Sequence, residues 1–140
     1  MPAAKKWTCP TCKRTFARAR QNHSCDARPV AWHFRNSSPA LIAAFDALVL
    51  RVGRFGPVRV DAAATSIHFI SDHAFAGVTV RREFLRLSFL IDAPIDHARI
   101  ERTQRLGPKR VEHAVKILSA RDVDATLLGW LHAAYRLRTR

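Results

Sequence analysis

Apolar positions recur at helical spacing over Leu41, Ile42, Phe45, Leu48 and Val49. Ser38 stands before this stripe as an N-cap, Pro39 suits the first helical position, and Gly53 follows as a stop. Gly56-Pro57 predicts a turn, after which the period shortens to two. Strands are expected at Val58–Val60 and Thr65–Ile70. A hairpin of Phe75–Val80 and Phe84–Ile91 is expected around Arg81-Arg82-Glu83. Leu85, Leu87, Phe89 and Ile91 alternate with the mixed set Phe84, Arg86, Ser88 and Leu90, the pattern of a central strand partly covered on both faces.

Residues 92–108 read as irregular, with Pro94, Gly107 and Pro108 and a helical turn around Ile95–Arg102. Alternation returns in Arg110–Leu118, with Val111, His113, Val115 and Ile117 on one side. Ser119-Ala120-Arg121-Asp122 is a capping signal for a final helix. Val123, Leu127, Leu128, Leu131, Ala134 and Tyr135 form the stripe of that helix, and Arg136, Arg138 and Arg140 suit its C-terminal end. A helix, four or five antiparallel strands and a second helix make residues 37–140 an α+β domain, a small antiparallel sheet flanked by two main helices.

Residues 1–36 follow a different logic. All three cysteines lie here, as Cys9-x2-Cys12 and then His23-x-Cys25. Four soft-to-borderline ligands in two close pairs are what a structural tetrahedral Zn²⁺ site needs, and four protein ligands leave no open position for hydrolysis. Trp7 and Phe16 around the first pair resemble the hairpin half of a two-Cys, two-His finger. The second pair departs from that family. Residues two apart lie about 200° apart around a helix but on one side of an extended chain, so His23-Ser24-Cys25 is expected in an extended or turn conformation. A base-reading helix in the major groove is thereby disfavoured. A redox Cys-x-x-Cys has no βαβ pattern to support it, and His33 is a spare ligand. Residues 26–38 read as a linker whose Trp32 and Phe34 either pack the module against the next domain or stack on bases.

Charge sharpens the functional expectation. The 140-residue chain has a formal net charge of +13. Residues 1–36 hold eight Lys and Arg against Asp26 alone. Such an excess favours a polyanionic partner, chiefly nucleic acid. Lys5, Lys6, Lys13, Arg14, Arg18 and Arg20 decorate the metal module and are the candidate phosphate contacts. Arg81, Arg82 and Arg86 read as a solvated face of the hairpin.

No membrane-length apolar run and no targeting segment are visible, and cysteines that read as metal ligands fit a reducing cytoplasm. Glycine-rich phosphate loops, nucleophile elbows and paired-carboxylate nuclease motifs are missing. Asp72-His73 and Asp96-His97 with Glu101 suit loop and cap roles better than acid–base chemistry. The expectation is a non-enzymatic zinc protein that contacts nucleic acid without strong sequence specificity. Its rivals are a protein-interaction adaptor, and an enzyme or small-ligand sensor with a pocket in the α+β domain.

Phe45 to Tyr135 resembles the bacterial domain-of-unknown-function family 5655. The resemblance is carried by Ser66-Ile67-His68-Phe69, Phe75-Ala76-Gly77-Val78, Leu85-Arg86-Leu87-Ser88-Phe89, Asp122-Val123-Asp124 and Ala134-Tyr135. The Trp-x-Cys-Pro-x-Cys…Phe…His-Ser-Cys module is similar to one preceding that domain in some members. These are mainly core apolar positions, so the resemblance implies a fold and a soluble bacterial accessory domain rather than a chemistry.

Overall fold

The computed structural model describes residues 6–16, 18–20 and 28–139. Within them a two-stranded hairpin, β1 (Trp7–Thr8) and β2 (Thr15–Phe16), precedes three helices and a six-stranded antiparallel sheet. The helices are α1 (Val30–His33), α2 (Pro39–Val52) and α3 (Ala125–Arg138). The sheet strands are β3 (Arg59–Ala62), β4 (Ile67–Ile70), β5 (Ala74–Val80), β6 (Leu85–Ile91), β7 (Arg102–Gly107) and β8 (Arg110–Ile117). Their order is β3-β4-β5-β6-β8-β7. The α+β class is as expected, and the sheet is larger than the four or five strands read from the sequence.

Strand alternation decides which sheet face is dry. Ile67 and Phe69 of β4, Val78 of β5, all four apolar residues of the Leu85 set on β6, and Val111, His113, Val115 and Ile117 of β8 are buried. Helices α2 and α3 cover this face with Leu41, Ala44, Phe45, Leu48, Val52, Leu127, Leu131 and Ala134. Full burial of one such side chain stabilises by about 1.5–3 kcal/mol. The α2 stripe is rotated slightly from expectation, since Ala44 and Val52 are buried while Ile42 is exposed. A register shift between β4 and β5 lets both Phe75 and Ala76 face inward, and Phe75 meets Tyr135 edge-on at 5.4 Å. The other sheet face has no helical cover among the described residues and carries His68, Gly77, Thr79, Ser88 and Glu112, all half-buried.

Three local expectations are corrected. Residues 102–107 form β7 rather than an irregular stretch. The strand lies at the sheet edge and its first five residues are exposed, so no apolar alternation marks it. The 26–38 linker contains α1, which carries Phe34 into the core at 4.9 Å from Phe45. Ser119 and Asp122 do form a capping box, but around a 3₁₀ turn. Asp124 caps α3 instead, its Oδ1 accepting from Leu127 N–H at 3.0 Å. Among the described residues no helix is long and apolar enough to cross a membrane.

Candidate nucleic-acid interface

The N-terminal hairpin is built by its turn. Trp7 pairs with Phe16 and Thr8 with Thr15, and the two rings lie 6.0 Å apart. Cys9 N–H donates to Arg14 O at 2.8 Å, and Lys13 N–H donates to Cys9 O at 2.8 Å. Lys13 has φ 62°, a left-handed conformation uncommon outside glycine, which closes the reversal immediately after Cys12. Cys9 is buried and Cys12 half-buried, so the Cys-x2-Cys pair occupies the two ends of one tight turn. Two thiols presented in this way suit half of a tetrahedral Zn²⁺ site. The other expected ligands, His23 and Cys25, lie outside the described residues. Among the described residues no three His, Cys, Asp or Glu side chains gather as a metal-binding group. The spare candidate His33 is engaged elsewhere, with Nε2 2.9 Å from Ala63 O.

The hairpin docks on the sheet at the β3 edge. Arg14 Nε donates to Asp61 Oδ1 at 3.2 Å and Arg14 Nη2 to Oδ2 at 3.1 Å, a fork-on-carboxylate geometry with both side chains largely buried. Arg59 Nη1 donates to Thr15 O at 3.1 Å from the same strand. Arg14 also lies 5.1 Å from the Phe16 ring centroid. Of the six candidate phosphate contacts, Arg14 is therefore committed to Asp61. Lys6, Lys13, Arg18 and Arg20 are exposed, and Lys5 lies outside the described residues.

Between hairpin and sheet is a cleft of about 510 Å³, lined by Arg14, Arg18, Arg59 and Arg138 together with Asp61, Asp72, His68 and His73. Arg138 has its pKa lowered, first by burial and then by the nearby Arg110 charge. His68 Nε2 is 2.8 Å from Ser66 Oγ. Burial holds the His68 pKa below its ordinary value; Asp61 opposes that shift and Arg14 reinforces it. A neutral imidazole beside a paired Arg–Asp unit is a hydrogen-bonding wall.

The described histidines His97, His113 and His132 do not line this cleft. His113 is fully buried, stacks on Phe89 at 5.4 Å and accepts from Ile95 N–H at 3.0 Å through Nε2. His97 Nδ1 accepts from Arg99 N–H, and His132 stacks on Phe55. Glu101 pairs with Arg86 at 3.1 Å. Sequence reasoning did not single out Arg59 and Asp61, which anchor the hairpin, because no local pattern links positions 44 and 47 residues apart.

A family model described as a domain of unknown function, DUF5655, matches residues 30–138. No curated protein and no solved structure matches the chain.

Proposed function

The chain belongs to the DUF5655 family, and we propose that it is a non-enzymatic binding protein that contacts nucleic acid through its basic N-terminal hairpin. One observation carries this reading. Asp61 takes Arg14 out of solvent and anchors the hairpin, while Lys13 at its turn, Lys6 just before it and Arg18 and Arg20 just after it remain exposed. An anchored cluster of cations loses less conformational freedom on meeting phosphates than a loose basic arm does. Its contacts are to backbone rather than base edges, since among the described residues of the hairpin no helix presents side chains to a groove.

In this reading Cys9, Cys12, His23 and Cys25 hold a structural Zn²⁺. The ion supplies folding free energy, on the order of 10 kcal/mol for such sites, that so short a segment cannot draw from its own core. Three thiolates and one imidazole close the tetrahedron and leave the ion without a reacting position. The composition of this segment suits a reducing bacterial cytoplasm.

Metal content and duplex binding on one preparation test the proposal. One zinc per chain is expected, with affinity that falls when a chelator removes it. Nucleic-acid affinity that survives complete chelation unchanged would detach binding from the metal. No measurable affinity for DNA or RNA at low salt would favour a protein-adaptor role instead.

A further inference from the structure

A second basic feature lies on the α+β domain and uses none of the hairpin residues. The β5–β6 turn faces the loop between α1 and α2 across a cleft of about 560 Å³. Arg81 and Arg82 line it from the turn, and Arg35, Asn36 and Ser37 line it from the loop. Among the described residues no acidic side chain lines it. Arg35, Arg81 and Arg82 take part in none of the ion pairs Arg14–Asp61, Arg86–Glu101 and Arg99–Asp124. Glu83, next along the turn, is exposed and outside these pairs as well.

Arg35 is held in place before any ligand arrives. Its Nη1 donates to Trp32 O at 2.9 Å, and its guanidinium lies 3.6 Å from the Trp32 ring centroid. Arg28 lies 4.0 Å from the same centroid. Two guanidinium carbons so near one centroid would overlap on a single face, so the arginines sandwich the indole. Both Trp32 faces are then occupied, and a base has no platform there. What the cleft offers is charge. The α2 N-terminus, at Ser38 and Pro39, follows the loop directly and adds its positive dipole end.

Three guanidiniums around a cleft with no acid among its described lining residues repel one another, and an anion relieves that repulsion. Arginine forks match phosphate oxygens two at a time, and the Asn36 amide and Ser37 hydroxyl supply further donors. A dianion gains more from three such cations than a monoanionic backbone diester does. We propose that this cleft is a binding site for a phosphate monoester, with Arg35, Arg81 and Arg82 as its cationic ligands. The volume falls within the range of small-molecule sites, so the phosphate can belong to a nucleotide-sized ligand or to a nucleic-acid 5′ end.

The full-length protein and three probe types test the site: inorganic phosphate, a nucleoside 5′-monophosphate, and short single strands with a 5′-phosphate or a 5′-hydroxyl. Calorimetry and fluorescence anisotropy should show saturable binding of the phosphate probes. An Arg81→Ala/Arg82→Ala double variant should lose at least ~10-fold in affinity with its thermal unfolding unchanged, and the corresponding lysine pair should fall between. A monophosphate preferred over inorganic phosphate identifies a small nucleotide-like ligand, and a preference for the 5′-phosphorylated strand identifies a nucleic-acid end. Chelation should leave phosphate binding intact, which separates this site from the hairpin. No saturable binding of any phosphate probe at low salt, or equal affinity in the alanine pair, would overturn the assignment.

Discussion

Asp61→Ala is the sharpest test of how the hairpin is held. The substitution removes both oxygens that accept from the Arg14 fork, at 3.1 and 3.2 Å, and leaves a guanidinium whose side chain is only 15% exposed. Exposed pairs contribute about 0–1 kcal/mol, and removing one partner of a buried pair costs about 3–5 kcal/mol. With Asp61 itself 17% exposed, the site lies between these limits, and a loss of about 2 kcal/mol is expected. In a cycle with Arg14→Ala, the coupling should be roughly 1–2 kcal/mol, measured by urea denaturation of the full chain. His68 provides an independent readout. Asp61 raises its pKa and Arg14 lowers it, so Asp61→Ala should move its NMR titration down and Arg14→Ala should move it up. In the proposed reading Arg14 anchors the hairpin through Asp61 rather than contacting phosphate, so Arg14→Ala should leave the salt dependence of nucleic-acid binding unchanged. Additive single effects, or a salt slope flatter by about one unit in Arg14→Ala, would refute this reasoning.

Two further outcomes follow from the packing. Burial holds both His68 and His113 below the 6.5 of the unfolded chain, so the unfolded state binds more protons as pH falls through that value. Stability should be full above about pH 6.5 and decline below it. Each histidine contributes up to about 1.4 kcal/mol per pH unit until its folded value is reached. His113→Phe should flatten part of this slope, and an unchanged slope in urea unfolding between pH 7 and pH 5 would argue against it. Gly56 has φ 147°, and a Cβ there would overlap the Tyr135 hydroxyl. Gly56→Ala should therefore cost at least ~2 kcal/mol, partly recovered by Tyr135→Phe; a loss below about 0.5 kcal/mol would show that the turn relaxes freely.

The parts of the fold legible in the sequence are those where one face is dry and the other wet. Leu85, Leu87, Phe89 and Ile91 announce their strand because burial selects every second residue, and Val111, His113, Val115 and Ile117 do the same although Ala114 between them is buried too. Strand β7 escapes because Arg102-Thr103-Gln104-Arg105-Leu106 is exposed on both faces, where pairing is a matter of backbone hydrogen bonds and side-chain pattern carries no information. Helix α1 escapes because four residues hold too few turns to show a period. The Cys9-x2-Cys12 and His23-x-Cys25 spacing stands out in the chain as well, but His23 and Cys25 lie outside the described residues, so the structure does not bring the two pairs together. What could not be read was which cations would be spent internally. Arg14 looked equivalent to Lys13 in the chain, and only the approach of β3 brings Asp61 to one and not to the other.

The hairpin as a metal-held backbone clamp is tested most directly by its salt dependence. Lys5, Lys6, Lys13, Arg18 and Arg20 are the cations this account assigns to phosphates. Five contacts on duplex DNA give a slope of log K against log salt near −4 to −5. The measurement is fluorescence anisotropy of a labelled duplex titrated across salt, with and without chelator. A slope in that range, with an affinity that falls when the metal is removed, is the predicted result. A slope near zero in the metal-loaded protein would contradict the account.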